Sequence, residues 1–111
     1  MSSIKVDKNI WQYYFDQITK KVEGRRTNIE VDNLALGSQL QTKSLILAGI
    51  TYDAKDDSLQ IFFDELEHMI KNPEDIYADY TDGYLHNVQV KTKDTIQVIR
   101  FLDPLALSFK Q

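Results

Sequence analysis

Along residues 44–63 the apolar positions recur every second residue in two short blocks. Ile46, Ala48, Ile50 and Tyr52 fall on one face of the first block, and Leu59, Ile61 and Phe63 on one face of the second. A period of two predicts an antiparallel strand pair with one face buried. Asp53-Ala54-Lys55-Asp56-Asp57 lies between the blocks and predicts the turn, because Asp side chains bond their own backbone and interrupt a ladder.

The period changes near the start of the chain. Trp11, Phe15, Ile18 and Val22 are spaced by four, three and four residues, with Ile10 and Tyr14 beside them. This is one apolar stripe on a 3.6-residue period, so a helix is predicted over Asp7–Val22. Asp7 suits its N-cap, Lys20 and Lys21 complement the dipole at its end, and Gly24 suits a left-handed residue after it. A helix this short does not hold its shape alone and must dock on an apolar surface.

The remaining segments read mostly as strands. Residues 27–36 alternate through Ile29 and Val31 toward Leu34 and Leu36, and Gly37-Ser38 turns the chain into a long strand, 40–52. Gly49 inside that strand predicts a bulge or bend. Leu66, Met69 and Ile70 recur at helical spacing and Asn72-Pro73 follows, so a short helical turn is expected near 65–71. Residues 76–80 and 84–90 form a second hairpin around Asp82-Gly83. A two-residue loop would draw Asp79 onto the apolar face, whereas a three-residue loop pairing Tyr80 with Tyr84 keeps it off, so the latter is expected. Residues 95–102 are apolar on both faces except for Arg100, which predicts a central strand ending at Asp103-Pro104.

These elements make one α+β domain, residues 1–111. An N-terminal amphipathic helix lies on an antiparallel sheet of five to six strands, arranged as a meander of hairpins or as a partly open barrel.

Composition narrows the chemistry. The 111 residues are 42% apolar, ordinary for a folded chain, and include no cysteine. Disulfides, thiolate metal sites and cysteine nucleophiles are therefore excluded together. No apolar run approaches the roughly 18 residues of a membrane span, and the first residues lack the apolar core of a signal peptide. A cytoplasmic protein without membrane contact is expected. The net charge is −4, but residues 27–90 carry three Lys and twelve acids. Phosphate backbones would be repelled by that block, so nucleic acid is not the expected partner.

Candidate sites are few. His68 lies among Asp64, Glu65, Glu67, Glu74 and Asp75, and on a helical turn Asp64 and His68 would share a face as half of a metal site. Nothing supplies the other half at a recognisable spacing, and no cofactor is called for. The second histidine, His86, reads as a packed strand residue. Asp53, Asp56 and Asp57 miss the spacing of a calcium loop. Lys20, Lys21, Arg25 and Arg26 form a small basic cluster that could meet an anion or RNA. No nucleophile elbow or phosphate-binding loop is present. Six Tyr, five Phe and one Trp are many for this length. Tyr13, Tyr77, Tyr80 and Tyr84 are the candidates for an interface, since aromatic side chains favour interfaces.

Taken together, NIWQYYFDQITK near the start, ITYD-x-KDD-x-L, HMI-x-x-P and DPLAL at the end are similar to a family of small single-domain bacterial proteins of unknown function. The resemblance covers most of the chain. It implies a free-standing domain and transfers no catalytic residue. The expected function is a non-catalytic protein-interaction module, acting on a protein partner or as a homodimer, with any small-molecule ligand left open. The alternative is a small metal-dependent hydrolase or metal-binding protein using His68 and its neighbouring carboxylates.

Overall fold

A computed structural model describes residues 2–33, 35 and 37–106. Eight strands and one α-helix follow in the order β1 (Ser2–Lys5), α1 (Trp11–Val22), β2 (Arg26–Asn33), β3 (Gly37–Asp53), β4 (Ser58–Phe63), β5 (Glu67–Lys71), β6 (Asp75–Thr81), β7 (Tyr84–Lys91) and β8 (Thr95–Ala106). All pairings are antiparallel, and the sheet order is β1-β6-β7-β8-β2-β3-β4-β5. The sheet is open rather than closed, and eight strands replace the five or six expected. The expected position of β8 is correct: it lies between β7 and β2 in mid-sheet.

The helix carries the predicted stripe, and Trp11, Tyr14, Phe15, Ile18 and Val22 are all buried. Its start is split. Asp7 caps a single 3-10 turn, Lys8–Ile10, by accepting from the Asn9 N–H at 3.0 Å, and the α-helix begins only at Trp11. Gly24 does adopt a left-handed φ of 83°, in a turn closed by the Arg25 N–H bonding the Val22 carbonyl at 2.8 Å.

Two side-chain bonds show how the sheet is shaped. Tyr14 Oη meets Tyr80 Oη on β6 at 2.9 Å, and Thr19 bonds Ile50 on β3. β6 and β3 stand four places apart in the sheet order, so the sheet must curl around the helix for α1 to touch both. The far end curls further: His68 Nε2 on β5 lies 2.7 Å from Gln97 Oε1 on β8. The core fills the space between, with Ile29, Leu47, Ile50, Ile61, Val88 and Ile99 fully buried.

β3 makes this curl. Its first part pairs with β2 as far as Ile46, and its last part pairs with β4 from Leu47 onward. A bulge between Leu47 and Gly49 marks the handover, as Gly49 predicted. The extra residue, Ala48, inverts the alternation. Leu47 is buried while Ile46 and Ala48 face solvent, and beyond the bulge Ile50 and Tyr52 return to the core. The expected single face Ile46-Ala48-Ile50-Tyr52 is therefore broken in its middle. The helix also comes close at Gly49, since a Cβ there would sit 3.1 Å from Thr19 Cγ2.

Three further expectations are corrected. The segment near 65–71 is strand β5, not a helical turn. His68 and Ile70 face inward opposite Ile61 and Leu59, a period of two that pairing with β4 enforces. The second hairpin has the two-residue loop, with Tyr80 opposite Leu85 and positive φ at both Asp82 and Gly83. Asp79 is buried even so, and one of its carboxylate oxygens accepts from a neighbouring amide. A bulge at His86 shifts the register, so Asp79 pairs with Asn87 and their side chains bond at 3.1 Å. Ala78 and Ile76 keep Val88 and Val90 as inward partners. Finally, β8 continues through Asp103-Pro104 to Ala106. Pro104 falls in an irregular stretch between the pairs Asn87–Arg100 and Leu85–Leu105, where a missing N–H breaks no ladder bond. Leu34 and Leu36 lie outside the described residues.

Candidate binding face

The turn between β4 and β5 holds the most distinctive surface. Phe63 N–H donates to the Leu66 carbonyl at 2.8 Å and Asp64 N–H to the Ile46 carbonyl at 3.2 Å. These bonds fold residues 64–66 back against the β3 bend. They leave Ile46 and Leu66 exposed on either side of the turn. A shallow cleft of about 210 Å³ opens beside them, floored by Leu45, Ile46 and Phe63 and rimmed by Arg26, Ser44, Asp64 and Glu65. The apolar floor thus lies between a cation, Arg26, and two carboxylates, Asp64 and Glu65.

Catalytic chemistry has less support. Among the described residues, Ser44 Oγ accepts from an Arg26 guanidinium nitrogen at 3.4 Å and has no base beside it. A larger cleft, about 400 Å³, is lined by Lys5, Asp7, Lys8, Trp11, Glu74 and Asp75 among others. Both of its lysines already have partners: Lys5 Nζ lies 3.2 Å from Asp75, and Lys8 Nζ lies 3.9 Å from Asp57 and 5.3 Å from the centre of the Trp11 ring.

The structure separates the residues singled out from the sequence. His68 and Asp64 do not share a helical face, because the segment is extended and Asp64 sits in the preceding turn. Among the described residues no three His, Asp or Glu side chains gather as a metal set would. Lys20 and Lys21 are exposed at the helix end, and Arg25 and Arg26 are exposed where β2 begins. Tyr13, at 61% exposure, and Tyr84 face solvent, while Tyr77 is half-buried. Tyr80 is withdrawn from the surface at 7% exposure, its hydroxyl bonded to that of Tyr14. The exposed apolar residues Ile46, Leu66 and Met69 were not among the sequence candidates. The sequence pattern places Leu66 and Met69 on one side of a helix and Ile46 in the core, so the bulge and the strand pairing are what reveal them.

Tyrosine ionisation offers a direct check on the packing. Tyr52 is buried and its hydroxyl donates to Asp57 Oδ1 at 2.6 Å. Burial, then that bond and the charges of Asp57 and Asp53, push its phenol from 10.0 up to about 12. Burial also raises Tyr14 and Tyr80. The folded chain therefore holds these protons more tightly than the unfolded chain. The stability contributed by Tyr52 is whole below pH 10.0 and is lost as pH rises through about 12. Urea midpoints followed across that window should fall with pH, and the fall should be shallower in Tyr52→Phe. An unchanged slope would show that Tyr52 does not keep its proton on folding.

An open, curled antiparallel sheet with one helix packed against it, and exposed apolar residues at the β4–β5 turn, defines an α+β fold. The chain belongs to the family of unknown function DUF5335, whose model matches residues 2–110. It is similar to an uncharacterised protein of Aquifex aeolicus (strain VF5), with 30% identity over 105 residues covering 94% of this chain and 95% of that one. No solved structure matches the chain significantly. No helix among the described residues is long and apolar enough to cross a membrane.

Proposed function

We propose that this is a non-catalytic protein-interaction domain whose contact face is the β4–β5 turn with the adjoining edge of β5. One observation carries the reading. Of the six exposed large apolar side chains among the described residues, Ile46, Leu66 and Met69 belong to this turn, its cleft and that edge. Exposed apolar groups beside charged rims are a common mark of an interface. The edge adds main-chain groups able to bond a partner strand.

The test is to place a photo-cross-linking residue at Leu66 in the cell that makes the protein, identify what it captures, and titrate that partner in purified form. Saturable binding is expected, weakened about tenfold or more by Ile46→Asp with Leu66→Asp. Both sites are exposed, so the double variant should melt near the wild type. Binding indifferent to the double variant would overturn the reading. So would a melting temperature raised by Zn²⁺ and lost in His68→Ala, since that would restore the metal-dependent alternative.

A further inference from the structure

We propose that the partner on the β5 edge is a second copy of this chain, joined by antiparallel pairing of two β5 strands with Met69 on the two-fold axis. The proposal rests on the interaction reading above and names its partner.

The edge is open in a defined pattern. Among the described residues β5 ends the sheet and pairs with β4 alone. Asn72 N–H bonds the Asp57 carbonyl and Phe63 N–H bonds the Leu66 carbonyl, each at 2.8 Å. Hydrogen-bonded and non-bonded pairs alternate along an antiparallel ladder. His68 and Ile70 therefore spend their main-chain groups on Ile61 and Leu59. The N–H and C=O groups of Glu67, Met69 and Lys71 point away from the sheet. All three residues are exposed, Met69 at 40%.

Edge strands are commonly blunted by charge. Here the charges do something more specific. Glu67 and Lys71 stand two residues either side of Met69 and carry opposite signs. In an antiparallel pairing centred on Met69, Glu67 of one copy faces Lys71 of the other, and Lys71 faces Glu67. The three outward-pointing residues then form three hydrogen-bonded pairs, with the two Met69 side chains in contact at the centre. A parallel pairing in register would set Glu67 against Glu67 and Lys71 against Lys71. A slip by one residue would offer His68 and Ile70, whose main-chain groups are already used. The charge pattern thus favours one orientation and one register. Lys71 now lies 3.5 Å from Asp56 with both side chains largely exposed, a weak contact that a facing Glu67 can share. β1, the other edge of the sheet, has no such symmetry: its one charge, Lys5, is already paired with Asp75.

The test is sedimentation analysis of the purified chain from about 1 µM to about 1 mM, the range that small interfaces occupy. A monomer–dimer equilibrium is expected. Glu67→Lys and Lys71→Glu should each weaken it about tenfold or more by opposing like charges. Mixing those two variants should give a heterodimer tighter than either homodimer, because both facing pairs become complementary. Met69→Pro removes an outward donor that no internal bond uses, so it should abolish the dimer while leaving the monomer folded. Amide exchange should slow at Met69 and Lys71 as concentration rises. A wild type that stays monomeric throughout overturns the self-pairing and leaves the cross-linking test at Leu66 to judge the broader reading. A dimer indifferent to both charge reversals and to Met69→Pro overturns it as well, by placing the contact elsewhere.

Discussion

Trp11→Ala is expected to lower the stability of the domain by about 3–5 kcal/mol, the usual cost of emptying a large aromatic site. Trp11 is 1% exposed, and its ring meets Tyr52 edge-on at 5.1 Å between centroids. Its indole N–H also donates to the Val6 carbonyl at 2.9 Å. That bond ties the segment after β1 to the start of the helix, so truncation removes packing and strands a carbonyl together. Small domains have only about 5–15 kcal/mol in total, so the variant should sit close to its unfolding threshold. Urea titration checks this: the midpoint should drop with little change in slope. Trp11→Phe keeps most of the packing but loses the donor, and should cost about 1–2 kcal/mol. Equal losses in the two variants would show that the hydrogen bond, not the ring, dominates.

Thr19→Val should cost about 2–4 kcal/mol although it conserves shape, because it leaves two main-chain groups unsatisfied. Thr19 Oγ1 donates to the Ile50 carbonyl at 2.7 Å and accepts from the Ile50 N–H at 2.9 Å. Ile50 lies beyond the point where β3 has left β2, so one hydroxyl on the helix takes the place of a neighbouring strand. Thr19→Ser keeps the hydroxyl and should lose less than about 1 kcal/mol. If Val and Ser variants melt together, the hydroxyl contributes no net stability.

Much of this architecture is legible in the sequence. The Trp11–Val22 stripe, the β3–β4 pair, the bulge at Gly49 and the central place of β8 each follow from periodicity or from one residue's backbone freedom. What is illegible depends on pairing partners remote in sequence. β1 is four residues long and has no alternation of its own beyond Ile4; its place comes from Ser3 and Ile4 meeting Asp79 and Ala78. β5 carries apolar residues at helical spacing, yet Leu66 and Met69 are exposed and Ile70 is held inward by Leu59. The loop of the second hairpin is shorter than its pattern predicts because a bulge at His86 takes the place of a longer turn. The exposed apolar residues of the proposed contact face are illegible for the same reasons: Ile46 is put outside by the extra residue in β3, and the open edge exists only once β5 is a strand.

The place of β8 also bears on how the chain must be made. Thr27 pairs with Phe101 and Val88 with Ile99, so one late segment is the seam between β1-β6-β7 and β2-β3-β4-β5. Neither half-sheet can pair its inner margin until residues 95–106 insert between them. Assembly is then governed by the slow search for contacts between distant parts of the chain. A nascent chain stalled before this segment should be a ready client for chaperones and an aggregation hazard.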